Sequence, residues 1–539
     1  MTTTPSARAL AALDRGRAAG DHSCGALLDA LAGATAQDWL ECAQALVLRR
    51  EQVAVTAVLT AAATAYPHSS DIHFALAGDV LQGGDRAQAE VRLRELLAED
   101  PEHAGAVFLL ARMLKEQGRM QAMADVVRAL FRHARRDLEQ LIHAVELLDD
   151  AGRKADAGAL CEDAIAAGCN DPRLHAYAGM LLAQLGRFAL ARERRLFALD
   201  HSEQALEWEV PLGLAEQQRY TDSNHPDLAL FRTGLQRPGL SAQARASLLF
   251  ALGKACDDTA DYAQAAGYLR EANLLRHASA RWPRKQWRRS IEARMQRRLP
   301  PTRLDAETDW TPVFIVGMPR AGTTVLARLL SRHPQICHRG ELSWLPALAD
   351  DLLAGGGDYP SRLARVAATY ATQLRQDDSD AQWFIDKQPH NFLHVDVILA
   401  MFPQARIIYC VRNSRDTALS LWMQSFQPGS QDYAYDMGDI AAAIRGSRRL
   451  MQHWRTRYPE AIHTVHYEAL VRAPAAVLAT LSAWLGLPPA ADLLAAPDRA
   501  DSIGTASLWQ ARQPVHTRSV ERWRHYAAYL PELLRLAED

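Results

Sequence analysis

Small and apolar residues recur with one fixed period in the first half of the chain. Gly84, Gly118, Gly152 and Gly186 are separated by 34 residues, and a polar residue follows each. Small or apolar residues stand seven and four positions before these glycines and five after them. A glycine directly after an apolar helical pattern marks a helix end. Because a 34-residue period is typical of helix–turn–helix repeats, we predict four such units over residues 70–195.

The same offsets recur around Gly253, Ala260 and Ala265 and predict a further unit there. The intervening segment with RYTDSNHPD departs from the period and predicts a degenerate unit with a longer loop, and alanine-rich residues 1–69 predict atypical capping repeats. The pattern resembles the tetratricopeptide repeat, which implies an all-α solenoid. Such arrays commonly bind peptides. We therefore expect the array to bind a protein or peptide on which the second half of the chain acts, to form a homodimer, or to serve as a spacer.

The chain is too long for one hydrophobic core, because single cores stop growing at roughly 250–300 residues. A basic stretch over residues 278–305 ends at Pro300 and Pro301, and a double proline marks a boundary. We therefore predict a helical repeat domain over residues 1–295 and a second domain over residues 296–539. The net charge of -2 gives no global electrostatic reason to expect nucleic acid as a partner.

Cysteine usage and hydropathy bear on the compartment of the protein. The seven cysteines form no CxxC pair, and their odd number argues against a closed disulfide framework. No stretch of about 18 apolar residues occurs, and the first residues lack an apolar signal core. We expect a cytoplasmic protein without a membrane span and without a metal site.

The second half opens with a strand, a glycine-rich loop and a helix in TPVFIVGMPRAGTTVLARLL. Such a loop presents backbone N–H groups and a helix N-terminus to a phosphate. Gly317 and Gly322 have the spacing of a nucleoside-triphosphate loop, but Thr323 stands where that motif needs its lysine. This difference argues against a kinase or an ATPase, which would otherwise be an alternative function.

Three further segments carry polar residues next to apolar, strand-like runs. Arg412 follows the strand pattern of RIIYCV, at the point where doubly wound sheets bind ligands. Lys387, in WFIDKQPHNFL, is the only lysine after residue 285 in a chain that otherwise favours arginine, which indicates either a need for a compact ammonium or chance. Glu341 precedes both of them, in CHRGELSWLP, and the C-terminal part contains TASLWQARQPVHTRSVERWRHY.

These motifs, in their order along the chain, resemble the sulfotransferases, and especially the tyrosylprotein sulfotransferase branch. The resemblance implies an α/β, P-loop-like domain with a central parallel sheet. It also implies 3′-phosphoadenosine 5′-phosphosulfate as the sulfuryl donor and adenosine 3′,5′-bisphosphate as the product. FIVGMPRAGTT resembles the 5′-phosphosulfate loop of that family. The residues implied at this loop are Arg320, Ala321, Gly322, Thr323 and Thr324.

The same resemblance implies roles for the other segments. Arg412 and Ser420 map to the 3′-phosphate site, and Ser507 maps to a serine near the nucleotide. Arg522 and Trp523 are weaker matches to residues that face the cofactor, and a core position is the alternative for the tryptophan. Glu341 maps to the catalytic base, and Lys387, assisted by Arg320, to the groups that stabilise the leaving oxygen. The segment TVHYEALVRAP supports the fold and is not assigned a site.

Alternatives stay open for each of these roles. His390 is a rival base, and Arg412 could instead pair with Asp416. Glu341 could have a purely structural role, holding a loop or a helix N-terminus. Arg339 stands where the tyrosylprotein enzymes have a disulfide cysteine, so neither their compartment nor their acceptor carries over. The predicted reaction is sulfuryl transfer to an acceptor hydroxyl, of a protein or peptide tyrosine, a glycan, a lipid or a small molecule. A catalytically inactive scaffold is the alternative from another class.

Overall fold

The computed structural model describes residues 4–132, 137–300, 304, 309–354, 356–488, 493–494 and 514–536. The chain divides into two compact units, Met1–Leu147 and Leu148–Asp539. No helix in these described ranges has the length and apolar composition that crossing a bilayer requires.

The first unit is helical throughout its described part. Its helices are α1 (Pro5–Ala18), α2 (Gly25–Leu31), α3 (Ala36–Leu48), α4 (Gln52–Ala65), α5 (Ser70–Gln82), α6 (Arg86–Glu99), α7 (Ala104–Glu116) and α8 (Met120–Leu130), and α9 (Leu138–Asp150) runs across the division between the units. The prediction of a helix end at each periodic glycine is confirmed, because Gly84, Gly118, Gly152 and Gly186 all have positive φ, between 70° and 92°. This left-handed conformation favours glycine and ends a helix.

The second unit begins with helices that continue the repeat-like pattern. They are α10 (Lys154–Ala166), α11 (Pro172–Gln184), α12 (Phe188–His201), α13 (Val210–Glu216), α14 (Pro226–Leu235), α15 (Ala242–Asp258), α16 (Tyr262–Ser279) and α17 (Arg284–Gln296). The further unit predicted around Gly253 is confirmed as the pair α15 and α16, whose turn places Ala260 at a φ of +64°. A long loop, residues 217–225, lies in the segment predicted to be degenerate.

A five-stranded parallel sheet forms the centre of the C-terminal part. The strands are β1 (Thr311–Gly317), β2 (Ile336–His338), β3 (Trp383–Asp386), β4 (Arg406–Val411) and β5 (Ile462–His466), in the order β2-β3-β1-β4-β5. The helices around it are α18 (Thr323–Leu330), α19 (Trp344–Ala354), α20 (Tyr359–Arg375), α21 (Val395–Met401), α22 (Ser414–Trp422), α23 (Met437–Arg457), α24 (Tyr467–Arg472) and α25 (Pro474–Leu485). The predicted fold class, a helical repeat region followed by an α/β domain with a parallel sheet, is confirmed.

Strand β1 contributes to two apolar cores because successive side chains point to opposite faces of a strand. Val313 and Ile315 lie in one core, and Phe314 and Val316 lie in the other. The first of these cores also contains residues of α15 and α16. The last repeat-like helices therefore share a core with the sheet.

The basic stretch before the double proline forms helix α17, which packs against α23. The Trp287 Nε1 donates to the Ala442 carbonyl oxygen at 3.3 Å, and the Arg284 guanidinium contacts Asp436 at 2.5 Å and also Asp439. Arg284 and Trp287 thus join α17 to α23 within the second unit. The predicted domain boundary between residues 295 and 296 stays a prediction.

Candidate active site

All five strands deliver a polar side chain to the same edge of the sheet. In order from β1 to β5, the strands are followed by Arg320, Glu341, Lys387, Arg412 and Tyr467. Because the strands are parallel, their carboxyl ends lie together, and ligands of open α/β sheets bind at this edge. A cleft of about 760 Å³ lies here, lined by all of these residues except Lys387.

The loop between β1 and α18 forms one wall of the cleft. Gly322 has a φ of +94°, and a Cβ at this position would lie 2.5 Å from a ring carbon of Tyr467. Only glycine fits there. Arg320 also adopts a left-handed conformation, with a φ of +70°, which is uncommon for a residue with a side chain. Thr323 and Thr324 open α18 and line the cleft, so the loop and the helix N-terminus offer N–H donors suited to a phosphate.

Ala321 has a different role from its neighbours in the loop. Its side chain is buried in the core and does not line the cleft, and its N–H donates to the Met318 carbonyl oxygen at 3.1 Å. It therefore closes the turn of the loop, and its side chain contributes no surface to a bound nucleotide.

Two predicted anion-binding arginines lie in direct contact. The Arg412 Nη1 donates to the backbone carbonyl oxygen of Arg320 at 2.9 Å, and the Arg320 Nε donates to the Ser420 hydroxyl at 3.0 Å. Burial, and after it the charge of Arg412, lowers the pKa of Arg320 to about 10. Burial also lowers the pKa of Arg412. Two positive charges held this closely in a buried site favour an anion between them.

The alternative partner for Arg412 is engaged elsewhere. Among the contacts of the described residues, Arg412 donates to the Ser519 carbonyl oxygen at 2.6 Å and makes no hydrogen bond to Asp416. Asp416 instead accepts from the backbone N–H groups of Glu521, at 2.7 Å, and Trp523, at 2.9 Å. It thereby holds the start of the 3₁₀ helix Arg522–Tyr526 against α22.

The C-terminal residues implied by sequence fall in three different places. Arg522 lines the cleft. Trp523 is buried in the core, with the guanidinium groups of Arg415 and Arg524 stacked on its ring at 4.5 and 5.1 Å, and it does not line the cleft. Ser507 lies outside the described residues.

Glu341 and Lys387 form an ion pair at the edge of the sheet. The Lys387 Nζ donates to Glu341 Oε1, and the two backbones are joined by a hydrogen bond of 2.9 Å from the Lys387 N–H to the Gly340 carbonyl oxygen. The side chain of Lys387 is only 2% exposed, whereas that of Glu341 is 38% exposed. The structure thus brings together a solvent-accessible carboxylate and a buried ammonium from two adjacent strands.

Asp386, the last residue of β3, connects these two groups and was not anticipated from sequence. Its buried carboxylate accepts from the Tyr370 hydroxyl, from Asn391 Nδ2 at 2.7 Å and from the Leu342 N–H at 3.2 Å. Burial raises the pKa of Asp386 to about 7. Since Leu342 follows Glu341 and Asp386 precedes Lys387, this carboxylate ties the two loops together.

His390, the rival base, also lines the cleft. Its Nε2 lies 3.3 Å from the Tyr433 hydroxyl, which itself donates to Gln431 at 2.7 Å. The hydroxyl therefore accepts from Nε2–H, and the lone pair of the neutral ring lies on Nδ1. Burial lowers the pKa of His390 to about 4, so the ring is neutral near pH 7. The geometry leaves both Glu341 and His390 as candidate bases.

Tyr467 is the clearest site residue missed from sequence. It lines the cleft, packs beside Gly322 and carries the Arg412 guanidinium 4.7 Å above its ring. Its segment, HYEALV, has an ordinary apolar helix pattern. Only its position after a strand, like that of Arg412, could have indicated the site. Within the described ranges, no group of three or more His, Cys, Asp or Glu residues is arranged to hold a metal ion.

Residues 312–492 match the family model described as "Sulfotransferase family". The C-terminal part carries a sulfotransferase-family domain. The match includes the phosphate loop, Glu341, Lys387, Arg412 and Tyr467. It ends before the C-terminal segment that carries Arg522.

Several known proteins are similar to parts of this chain. An uncharacterized protein of Aquifex aeolicus is 29% identical over 61% of this chain and 46% of its own length. Protein-tyrosine sulfotransferase 1 of Danio rerio is 24% identical over 43% of this chain and 73% of its own. The sulfotransferase domain from the Synechococcus PCC 7002 olefin synthase, a solved structure, is 23% identical with a TM-score of 0.32, covering 44% of this chain and 97% of that one. The chain spans about half the length of the first curated relatives it matches.

Arg339 lies at the turn before Glu341, where the resemblance to the tyrosylprotein enzymes implied a cysteine. Its guanidinium pairs with Asp378 at 2.8 Å and donates to the Leu374 carbonyl oxygen at 2.8 Å. All seven cysteines of the chain are free thiols. A hydrogen bond to α20 and a salt bridge to Asp378, just after that helix, thus stabilise the loop that carries the candidate base.

Proposed function

We propose that this protein transfers a sulfuryl group from 3′-phosphoadenosine 5′-phosphosulfate to an acceptor hydroxyl. The observation that carries the proposal is the convergence of Arg320, Arg412 and the Glu341–Lys387 ion pair at the carboxyl edge of the sheet. Arg320, Arg412 and Glu341 line the cleft, which thus combines groups for two anionic ends of a nucleotide with a carboxylate, and the Lys387 ammonium lies directly behind that carboxylate. The matching family model supports the same reaction.

The residues of the cleft fit such a donor. The Nε of Arg412 and the hydroxyl of Ser425, which also lines the cleft, are buried without a hydrogen-bond partner among the described residues. Buried donors of this kind are normally satisfied by a partner. Thr323 and Thr324, at the N-terminus of α18, offer further donors to the phosphosulfate end.

In the proposed reaction, the bound donor supplies the sulfuryl group and a phosphate leaving group. Glu341 accepts the proton of the acceptor hydroxyl while that oxygen bonds to sulfur and the bond from sulfur to the phosphate oxygen breaks. Lys387, with Arg320, stabilises the negative charge left on that oxygen. His390 is retained as the rival base. Positioning and electrostatics supply most of the rate acceleration.

We propose a protein or peptide tyrosine as the acceptor, bound with help from the helical repeat region, which we assign to the tetratricopeptide type. The similarity to protein-tyrosine sulfotransferase 1 of Danio rerio supports this acceptor. Incubating the purified chain with sulfur-labelled donor and separate sets of peptides, glycans and small phenols tests the assignment. Label on tyrosine supports a tyrosine acceptor, and label only on glycans or small molecules would contradict it.

Two variants test the cleft assignments. Lys387→Ala should lower turnover by about 10²-fold or more while nucleotide affinity changes little, with the exposed Lys285→Ala as a control. Arg412→Ala should weaken binding of adenosine 3′,5′-bisphosphate while barely altering that of adenosine 5′-monophosphate, which lacks the 3′-phosphate. Arg406→Ala, at the opposite end of β4, is its control. Equal losses for the two nucleotides would contradict the 3′-phosphate role.

A further inference from the structure

The last repeat-like helices are built into the wall of the sulfotransferase domain. Leu249, Phe250 and Leu269, from α15 and α16, belong to the same apolar core as the sheet residues Val313 and Ile315. Polar contacts reinforce this packing, because Asn273 donates to the Trp422 carbonyl oxygen at 2.9 Å and Arg276 to that of Phe426 at 2.5 Å. Phe426 lines the cleft. The position of this part of the cleft therefore depends on α16.

A second contact runs from the repeat-like helices directly to a cleft arginine. Asp257, near the end of α15, forms an ion pair with Arg522 and accepts from the Tyr526 hydroxyl at 2.7 Å. The side chains of Asp257 and Arg522 are 9% and 23% exposed. The two residues are 265 positions apart in sequence, so the contact exists only because α15 packs against the C-terminal segment.

Arg522 needs such a partner because of its electrostatic surroundings. Arg320, Arg412 and Arg522 are among the arginines that line the cleft, and each repels the others. Burial alone would lower the pKa of Arg522, yet this pKa is raised because the Asp257 carboxylate lies against the guanidinium. A guanidinium has five N–H donors in a rigid fork, and the contact with Asp257 uses the Nη2 end, which leaves donors for a phosphate.

We propose that Asp257 is a positioning residue that holds Arg522 in the nucleotide site, so that the helix pair α15–α16 completes the donor-binding cleft. This inference rests on the proposed function, since it assumes that the cleft binds the adenosine 3′,5′-bisphosphate part of the donor. Without the carboxylate, repulsion from Arg320 and Arg412 would turn the Arg522 side chain away from the anion. The repeat region would thus contribute to donor binding in addition to any role toward the acceptor.

The neighbouring Asp258 provides a matched control. It is similarly buried, with a side chain 14% exposed, but it pairs with Lys254 and accepts from the Tyr220 N–H at 3.0 Å. It does not line the cleft. Asp258→Asn therefore removes the same charge from the same helix end, including its longer-range attraction for Arg522, but it leaves the Asp257–Arg522 ion pair in place.

Calorimetric titration of the full chain with adenosine 3′,5′-bisphosphate tests the inference. Asp257→Asn should weaken the affinity roughly tenfold relative to Asp258→Asn, the loss expected for one charge-assisted hydrogen bond. Asp257→Glu, which keeps the carboxylate, should recover part of the loss. In a chain already carrying Arg522→Met, Asp257→Asn should cause no further loss, because coupled residues are not additive.

The outcomes separate the two proposals. If the wild-type chain does not bind adenosine 3′,5′-bisphosphate, the proposed function fails and the inference with it. If it binds, but Asp257→Asn and Asp258→Asn have equal affinities or the Arg522→Met background leaves the Asp257 effect intact, the inference alone is overturned. Should Asp257→Asn not fold, Tyr526→Phe, which removes the hydroxyl that holds Asp257, takes its place. A weaker affinity in that variant supports the inference, and an unchanged affinity overturns it.

Discussion

Replacing Asp386 by asparagine should change how the stability of the second unit depends on pH. The Asp386 side chain is fully buried, and burial raises its pKa to about 7 from an ordinary value of 3.8. A carboxyl group with a raised pKa binds its proton more tightly in the folded chain than in the unfolded one. The contribution to stability is therefore complete below pH 3.8, is lost progressively as the pH rises toward 7, and levels off above it.

The size of the effect follows from the two pKa values. Each pH unit between them changes the unfolding free energy by about 1.4 kcal/mol, so this carboxyl group alone should lower it by about 3 kcal/mol between pH 5 and pH 8. Asp386→Asn removes the titrating group and with it this slope. The asparagine amide also turns its NH₂ group toward another donor, either Asn391 Nδ2 or the Leu342 N–H. One donor then loses its acceptor, which should lower the unfolding free energy by about 1–3 kcal/mol at every pH.

Denaturant unfolding of the full chain at pH 5 and pH 8, followed by tryptophan fluorescence, measures this difference. Eleven of the twelve tryptophans follow residue 147, so the signal reports chiefly on the second unit. Other groups with shifted pKa values, such as Glu216, are present in both proteins and cancel in the comparison. Tyr370→Phe keeps the Asp386 carboxyl but removes one of its hydrogen-bond donors. It should raise the pKa of Asp386 and so extend the loss of stability to higher pH. Parallel pH profiles for wild type and Asp386→Asn would refute the reasoning.

Four other substitutions test the packing and the cleft. Gly253→Ala should lower the unfolding free energy by about 1–3 kcal/mol, because its Cβ would lie 2.7 Å from a side chain of α16, whereas Gly267→Ala, with open space around it, should raise it by about 0.5–1 kcal/mol. Gly322→Ala should clash with Tyr467 and weaken adenosine 3′,5′-bisphosphate binding about tenfold or more, and unchanged affinity in a titration would count against the loop assignment. Lys387→Arg keeps the positive charge, but a guanidinium is larger than the ammonium that fits this site, where the Lys387 side chain is only 2% exposed. Turnover should therefore fall nearly as far as with Lys387→Ala, and near-normal turnover would contradict the need for a compact ammonium.

Much of the fold could be predicted because its signals are local. The helix end at Gly84 recurs at a fixed spacing along the chain. The apolar run Val313–Val316 and the glycines of the phosphate loop each lie within one short segment. Lys387 was found by composition, since it is the only lysine after residue 285. Such signals can be recognised in the sequence without knowledge of the tertiary structure.

The contacts that give the site its chemistry could not be predicted in this way. Glu341 and Lys387 are 46 residues apart, and they meet because β2 pairs with β3 rather than with β1. No spacing rule indicates that order. Asp257 and Tyr467 were missed for the same reason, because each lies in an ordinary helical pattern and acquires its role only through a distant partner.

The core shared by α15, α16 and the sheet has a practical consequence for shortened versions of the gene. A product that begins at residue 296 would leave the apolar surface of the sheet that normally packs against Leu249, Phe250 and Leu269 open to water. Exposed apolar surface of this kind promotes aggregation. A shortened protein that keeps α15 and α16 would retain this cover and should remain soluble where the shorter one precipitates.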